Sequence, residues 1–452
     1  MLSVRAAPGR RVDPGGGVLR VAKVRAGGHA YYLEVAAGTG TGVEPAGRWL
    51  GSGSAALGLR GEVDTEALGA VLAGRHPGSG ARLGPFHHRV TVAGYDLSFC
   101  APKSVSLLHA LGAPEVAAEV QVAHDRAVEE ALDYVGRRAV AVRRAEGGVA
   151  LPVPADAVAA AAFVHRSSRA LDPHLHTHVV LANLGRDGDG RFSAVDGRGL
   201  WAHAPAAGAL YHVQLRHELS ARLGVAWEPL RGGRADVAGI GPEARAAFSL
   251  RAAAIAEHLA ARGLAGPGAR RIAGHATRPD KDVTRSAAEL RVEWERRARS
   301  AGLGPGRLEA VLDRVPRRAA AGPDLGPGAG DAVLLDLAGR SSTLTRRDAV
   351  RAWCARLPTG APAGAVERAV DRTLGAVPLA AGHDGRIERP GVGERRHSLD
   401  ALGLSPGVGL GVDRGERRHL QAILARRSVS LPAGRGPERA RGPEPDFGPG
   451  LG

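Results

Sequence analysis

Apolar and polar positions along this chain follow two different periods. The alternation typical of a strand begins at Val18 in VLRVAKVRA, and strand-like runs return over 158–168 and 175–185. Apolar residues spaced three or four apart instead predict helices, most clearly over 114–138. Further helices are predicted over 63–75, about 204–223 and, in several pieces, about 242–320. Because antiparallel strands are mixed with helices rather than arranged as alternating βαβ units, the pattern predicts an α+β domain.

Composition divides the chain into five parts. Residues 1–17 are rich in Gly, Pro and Arg, and are expected to be a disordered extension. A folded domain is predicted over 18–315, and a Gly/Pro-rich linker over 316–331. A helical segment is expected over 332–400, and the Arg-, Gly- and Pro-rich stretch 401–452 is expected to be a disordered tail.

The net charge points to a polyanionic partner. Lys and Arg number 61 against 46 Asp and Glu, which gives +15 and a pI near 11.0. Nearly all of this positive charge is arginine, since Lys23, Lys103 and Lys281 are the only lysines. GC-rich coding is a second explanation for an arginine-rich chain, so charge alone does not identify a nucleic acid.

Several classes of protein are excluded by absent motifs. No apolar run of 18 residues predicts a membrane helix, and the N-terminus has no apolar core typical of a signal peptide. Cys100 and Cys354 lie too far apart in sequence to form a CxxC metal site, so a reducing cytoplasm is the expected compartment. No lysine stands in a GxxxxGKS/T phosphate-binding loop, which excludes a P-loop ATPase.

Three histidines are the strongest candidates for a metal site. Alternate residues of a strand share one face, so His176 and His178 are expected to point the same way. His165 lies on the preceding strand, and a turn at Asp172-Pro173 would return the chain beside it. If the strands pair, three imidazoles converge and suit a divalent ion. The alternative is a set of surface histidines on a polar sheet face.

Two further segments carry candidate chemistry: the pair Tyr31-Tyr32, and GYDLSFCAPKSVSLL, which contains both Asp96 and Lys103-Ser104. Tyr31-Tyr32 could supply a nucleophilic phenol, although a tyrosine pair is also common in packing. Asp96 interrupts an apolar strand, where a carboxylate is costly unless it has a partner. Lys103-Ser104 follows Pro102 at a predicted helix start, a position suited to binding phosphate. A serine cap and an aspartate turn are the simpler interpretation of that segment.

A family resemblance changes the weight of these motifs. The stretches AGYDLSFCAPKSVSLL and FVHRSSRALDPHLHTHVVLANL closely resemble the relaxase domain of TrwC-type (MobF) conjugative relaxases. Further stretches fit the same family, among them YYLE, PAGRWLGSGSAALGLRGEVD and ALYHVQLRHELSARLGVAW. The resemblance runs from about Val18 to Val315 and implies an antiparallel ferredoxin-like (HUH-type) sheet packed with helices.

The resemblance also implies roles for individual residues. Tyr31 takes the place of the family's nucleophile, with Tyr32 beside it, and Asp96 that of the carboxylate proposed to assist. The metal-binding histidines correspond to the following residues: His165, His176 and His178. Mg²⁺ or Mn²⁺ is the expected ion, and Lys103, Ser104 and Arg169 are the candidate DNA contacts. Such enzymes nick one strand of single-stranded or hairpin DNA at a transfer origin and remain attached through a 5′-phosphotyrosine.

The chain departs from the family pattern in four places, one of which is Cys100, where a serine is usual. A second tyrosine pair is often found eight residues after the first, where this chain has Thr39 and Gly40. Relatives continue into an ATP-driven helicase, whereas this chain lacks the Walker A lysine, so we expect a shortened gene and a separate helicase as partner, with conjugation accessory proteins. Residues 1–17 precede the usual family start, which suggests a mis-assigned start or a disordered addition.

Two alternatives to a DNA-nicking enzyme stay open. One is a non-catalytic origin-binding remnant of a relaxase-helicase. The other is a rolling-circle replication initiator, which shares the tyrosine and histidine chemistry. Initiators usually carry the histidines before the tyrosine, whereas Tyr31 precedes all three histidines here.

Overall fold

The computed structural model describes residues 19–25, 32–33, 44–84, 91–146, 149–279, 285–315, 323–377 and 397–398. All of them belong to one compact unit that spans residues 1–407. The predicted extension 1–17, the tail 401–452, Tyr31 and the Thr39-Gly40 positions lie outside the described residues.

Nine strands lie within the described ranges. They are β1 Leu19–Arg25, β2 Arg48–Leu50, β3 Val92–Cys100, β4 Ala141–Glu146, β5 Val149–Ser167, β6 Pro173–Asp187, β7 Phe192–Ser193, β8 Thr343–Leu344 and β9 His397–Ser398. The helices of the same ranges are α1 Ser52–Ala56, α2 Thr65–Leu72, α3 Lys103–Leu111, α4 Pro114–Ala139, α5 Arg198–Leu223, α6 Pro242–Ala247, α7 Leu250–Ala260, α8 Pro267–Ala276, α9 Ala287–Ser300, α10 Pro305–Glu309, α11 Pro327–Ala338, α12 Arg346–Ala355 and α13 Ala363–Gly375.

One antiparallel sheet organises the molecule. Its strands follow the order β1-β3-β6-β5-β2, with β4 paired to β5 and β7 paired to β6. The long strands β5 and β6 pair from Ala155 opposite Asp187 to Ser167 opposite Pro173. The predicted α+β class with an antiparallel sheet and packed helices is confirmed.

The two faces of the sheet are covered differently. On one face the hydroxyl of Thr177 on β6 hydrogen-bonds His124 of α4, and the backbone N–H of Leu175 donates to Ser106 of α3. On the other face, Val180 and Ala182 of β6 pack in a core cluster with residues of α2. The cluster also includes Tyr32, Trp49, Leu57, Leu59, Val63, Leu68, Val71, Phe163 and Leu184. His176 and His178 continue this second face beyond the apolar cluster.

Helix α5 is longer than the apolar pattern predicts. It begins at Arg198, ahead of the predicted start near 204, although Pro205 lies inside it and removes one backbone donor. Burial explains the difference, because Leu200 and His203 in the added turns are each 2% exposed. His203 Nδ1 also lies 3.0 Å from the hydroxyl of Tyr134 on α4. Tertiary contacts therefore hold the segment helical against the local cost of the proline.

The region after residue 322 is not all linker. Helix α11 begins at Pro327, inside the predicted linker 316–331, because proline fits the first turn of a helix without losing a bond. The chain then returns to α5, where Gln214 Oε1 accepts from the backbone N–H of Ala363 at 2.7 Å. Gly360 (φ 87°) lies so close that an added Cβ would stand 2.3 Å from the backbone nitrogen of His217.

An ion pair also joins this C-terminal region to α4. Arg137 of α4 donates to both carboxylate oxygens of Glu367 on α13, at 2.8 and 3.1 Å. Glu367 is 6% exposed, so the pair sits at the edge of a buried interface. Within the described ranges, no helix combines the length and apolar character needed to cross a bilayer.

A buried histidine ties the central strand to both covering helices. The ring of His124 on α4 hydrogen-bonds Thr177 Oγ1 at 2.7 Å and the Tyr211 hydroxyl of α5 at 2.8 Å. Complete burial lowers the pKa of His124 to about 3, with smaller contributions from His176 and other nearby positive groups. The ring is therefore neutral at pH 7.

We predict that acid destabilises the fold through this histidine. In the unfolded chain His124 takes up a proton as the pH falls below 6.5, whereas in the folded chain it stays neutral until about pH 3. The free energy of unfolding therefore falls as pH drops below 6.5, by at most about 1.4 kcal/mol per pH unit for this group. Urea unfolding at pH 7, 6 and 5 with a chelator present measures the slope.

Two variants separate this residue from other titrating groups. His124→Gln should show a shallower slope by up to about one proton, whereas His275→Gln, at an exposed helical position, should keep the original slope. An unchanged slope in a folded His124→Gln protein would contradict the assignment.

Candidate active site

The three predicted histidines meet at the end of β5 and β6. Antiparallel pairing sets His165 directly opposite His176, while His178 lies two residues further along the same face. One ring nitrogen from each histidine lies within 4.8 Å of the other two. Their ring centroids are 5.1–5.2 Å apart. The expected pairing of the two strands is confirmed, and it brings all three imidazoles together.

Hydrogen bonds orient two of the rings. His176 Nδ1 lies 2.8 Å from the carbonyl oxygen of His174, and His178 Nδ1 lies 2.9 Å from both carboxylate oxygens of Asp96. A carbonyl or carboxylate oxygen only accepts, so Nδ1–H donates in each ring and Nε2 is the nitrogen left to bind an ion. Burial and the neighbouring His178 lower the pKa of His176 to about 4, so this ring is neutral at pH 7.

The donor set fits a divalent cation. Three imidazole nitrogens within 4.8 Å of one another could converge on a first-row divalent ion, and such a ligand set leaves positions for substrate oxygens. His174 is different: its ring stacks on that of His176 at 4.5 Å but does not belong to the converging group.

Asp96 joins the histidine cluster to the tyrosine pair. It lies within β3, and it is 8% exposed. Its Oδ2 accepts a hydrogen bond from the Tyr32 hydroxyl at 2.9 Å, and the carboxylate also accepts from His178. Ser98 Oγ lies 3.4 Å from Oδ1. These partners offset the cost of burying a carboxylate in an otherwise apolar strand.

Of the tyrosine pair, the structure describes the second member. Tyr32 is helical and buried, its ring 6.0 Å from that of Phe163 and 6.4 Å from the ring of His178. Tyr31, the residue predicted as nucleophile, lies outside the described residues. Of the pair, Tyr32 is therefore joined to the site through Asp96.

Hydrogen bonds to α7 and α9 stabilise the turn between the two histidine strands. Leu171 adopts a left-handed conformation (φ 56°), and its carbonyl accepts from the Trp294 indole at 2.7 Å. Buried Asp172 accepts from Arg297 at 2.8 Å and from a backbone N–H of α7. Arg169 lies in this turn, partly exposed, and forms no ion pair with residues that the structure describes.

Lys103 and Ser104 serve the fold. Lys103 Nζ donates to the carbonyl of Pro173 at 2.7 Å, which secures the start of β6. Ser104 is fully buried, and both its backbone N–H and its hydroxyl donate to Oδ1 of Asp236. The helix start thus binds a carboxylate of its own chain. Both side chains thus have partners within the fold, and their contact with DNA stays a prediction.

Arg20 is a candidate that the motifs did not reveal. It pairs in register with Ser98, and Ser98 pairs with His178, so all three lie on the histidine face. Arg20 is exposed and carries its charge toward the edge of that face. The sequence shows Arg20 as a polar position in the alternating pattern of β1. It does not show the pairing of β1 with β3, which places Arg20 on the histidine face.

Comparison with known proteins agrees with this arrangement. A family model described as TrwC relaxase matches residues 17–301. The multifunctional conjugation protein TraI of Escherichia coli is 36% identical over 224 residues, which cover 46% of this chain and 12% of TraI. The chain thus matches about an eighth of that relative's length.

Two solved structures of the relaxase TrwC match over nearly their whole length. One holds a 27-mer DNA that comprises the recognition hairpin and the cleavage site; it is 30% identical, with a TM-score of 0.56, and the match covers 63% of this chain and 98% of that one. The other is a metal-bound complex with oriT DNA; it is 31% identical, with a TM-score of 0.57 and the same coverage.

The matched region contains the whole histidine cluster, Asp96 and both tyrosines, and the predicted resemblance is confirmed. This chain belongs to the TrwC relaxase family.

Proposed function

We propose that this protein nicks one DNA strand at a transfer origin and transfers it through a 5′-phosphotyrosine intermediate. The observation that carries the proposal is the Asp96 carboxylate, which binds a tyrosine of the N-terminal pair and a histidine of the cluster at once. A DNA-binding remnant would have no need to keep a buried carboxylate partnered in this way, so the site favours the enzyme.

The two tyrosines take different roles in this proposal. Tyr31 supplies the attacking phenol, as the family resemblance implies. Tyr32 is a positioning residue, because its hydroxyl is already committed to Asp96 and its ring is packed in the core cluster. Tyr32 thereby lies anchored next to the histidine cluster, directly after Tyr31 in sequence.

The reaction is a transesterification in which atoms and charge balance. The phenolic oxygen of Tyr31 forms a bond to the scissile phosphorus, and the bond from phosphorus to the 3′-oxygen breaks. The phenolic proton passes to a nearby base, for which Asp96 is the proposed acceptor, and the departing 3′-oxygen takes up a proton. Because a phosphodiester replaces a phosphodiester, the 3′-hydroxyl can later attack and reseal the strand.

His165, His176 and His178 would hold a divalent cation, and we propose Mg²⁺ or Mn²⁺. When bound, the ion supplies positive charge beside the scissile phosphate. Asp96 fixes the ring of His178, and the His174 carbonyl fixes that of His176, so the chain itself sets the direction of both Nε2 lone pairs.

Two arginines are the proposed phosphate contacts. Arg20 and Arg169 lie at different edges of the histidine region, and both are accessible. The substrate proposed is single-stranded DNA with an adjoining hairpin, and a separate helicase and conjugation accessory proteins are proposed partners.

We predict that Tyr31→Phe abolishes formation of the covalent adduct and that Tyr32→Phe only slows it. Tyr31→Phe removes the attacking oxygen, so no covalent adduct should form with a labelled origin oligonucleotide on a denaturing gel. Tyr32→Phe removes one hydrogen bond to Asp96 and should slow adduct formation by about ten-fold. Oligonucleotide binding should be nearly unchanged in both. An active Tyr31→Phe protein beside an inactive Tyr32→Phe protein would reverse the assignment, and mass spectrometry of the modified peptide identifies the residue directly.

Metal binding should depend on the converging histidines and not on their neighbour. His176→Ala should weaken Mn²⁺ binding by more than about 100-fold in calorimetry and stop cleavage, with the circular dichroism spectrum unchanged. His174→Gln is the matched control on the same strand face and should keep the affinity within a few-fold. Equal losses in the two variants would show that the ion binds elsewhere.

Each proposed phosphate contact should contribute one unit of counterion release. For Arg20→Gln and Arg169→Gln, the slope of log K against log salt should become shallower by about 0.7 for a single-stranded oligonucleotide. Arg60→Gln, at an exposed position in another part of the chain, is the control and should keep the original slope. Unchanged slopes in both test variants would remove these arginines from the interface.

A further inference from the structure

A cavity of about 570 Å³ lies between helices α3, α4 and α9. Arg166 of β5 lines it together with α3 and α4, which cover the face of the sheet opposite His176 and His178. The cavity is therefore separate from the proposed active site. Its size is that of a pocket for a small organic ligand.

The side chain of Arg166 has a guanidinium nitrogen, Nε, without an acceptor among the residues that the structure describes. The carboxylate of Glu44 binds the backbone N–H of Arg166, at 3.0 and 3.1 Å, and not its side chain. Arg166 Nε is buried and has no hydrogen-bond partner, and the guanidinium makes no ion pair among the residues that the structure describes. A partly buried cation without a counterion is costly, so the wall is suited to an anionic ligand.

The other polar groups of the cavity do not supply that counterion. Arg291 is already occupied, since it donates to Glu295 at 3.0 Å and to the carbonyl of Gly112 at 3.2 Å. Burial and the positive charge of Arg166 lower the pKa of His109 to about 4, so this ring is neutral at pH 7. The cavity wall thus has one cation that needs an acceptor.

The rest of the wall is apolar and contains an aromatic ring. The indole of Trp294 lines the cavity, and its Nε1–H is satisfied outside the cavity by the carbonyl of Leu171. Alanines of α4, Pro114 and Val122 supply much of the remaining surface. Such a wall accommodates a flat apolar body better than a hydrated ion.

We propose that this cavity binds a small ligand that combines a phosphate group with a planar ring, the chemistry of a mononucleotide. The phosphate pairs with Arg166, and the ring lies against Trp294 and the apolar wall. This chemistry has two sources, a free nucleotide or one nucleotide of a bound DNA strand, and the experiment below separates them. The proposal does not rest on strand cleavage.

Calorimetry on the full chain tests the site, with a chelator present so that no metal bridges phosphate to the histidines. Thymidine 5′-monophosphate should bind with one-to-one stoichiometry, while thymidine and inorganic phosphate should each bind at least about ten-fold more weakly. Equal binding of thymidine would overturn the role of Arg166, and equal binding of phosphate would overturn the role of the apolar wall. Absence of saturable nucleotide binding would overturn the proposal altogether.

Two variants locate the binding. Arg166→Gln should weaken the nucleotide by about ten-fold or more through loss of the charged hydrogen bond. Ala117→Leu keeps every charge but fills the cavity from α4, and it should weaken binding as well. Arg60→Gln should bind like the native chain. Native-like affinity in both Arg166→Gln and Ala117→Leu would place the nucleotide elsewhere and overturn the assignment.

A competition arm identifies the source of the ligand. If a short oligothymidylate displaces the mononucleotide from the native chain, one nucleotide of a bound strand is the ligand. If the oligonucleotide binds without displacing the mononucleotide, a free nucleotide is the ligand. Both results support the cavity chemistry. If the mononucleotide instead binds Arg166→Gln with native affinity and the oligonucleotide displaces it there as well, the phosphate does not pair with Arg166 and the proposal is overturned.

Discussion

The register between β5 and β6 is the constraint on which the site depends. Side chains alternate across a sheet, so moving one strand by a single residue would send its histidine to the opposite face. The observed register sets His165 opposite His176. It is secured on the covered face by the bond from Thr177 to His124, and at the turn by Asp172. The register that brings the imidazoles together is therefore set by contacts that involve none of their ring atoms, and ring hydrogen bonds of His176 and His178 then orient two of them.

Asp96 is a buried carboxylate whose hydrogen bonds orient other residues of the candidate site. A carboxylate in the middle of a buried strand is destabilising in isolation, yet its bonds to Tyr32 and His178 satisfy it and fix the geometry of both. The same carboxylate accepts a hydrogen bond from Nδ1 of His178. An apolar residue at position 96 would suit the strand, but it would leave the ring and the tyrosine segment unoriented.

The parts of the site that were predictable from sequence are those with short-range signals. The spacing of His176 and His178 and a nearby turn were enough to predict that three imidazoles converge, and an interrupted apolar strand singled out Asp96. Arg20 and Ser104 depended on partners far along the chain. Arg20 gains its place from pairing with β3, and Ser104 is occupied by Asp236, 132 residues away. Local patterns carry no information about such pairings.

The helices beyond the family match are part of the same packing. Arg216 of α5 is 1% exposed, and burial lowers its pKa to about 10. Two of its acceptors, the carbonyls of Leu357 and Cys354, belong to the segment that follows residue 322, and the third is the carbonyl of Gly233. Without that segment a buried guanidinium would lose most of its partners, a costly state. Since α5 also holds Tyr211 against His124, the support behind the histidine strands extends through α5 to these helices.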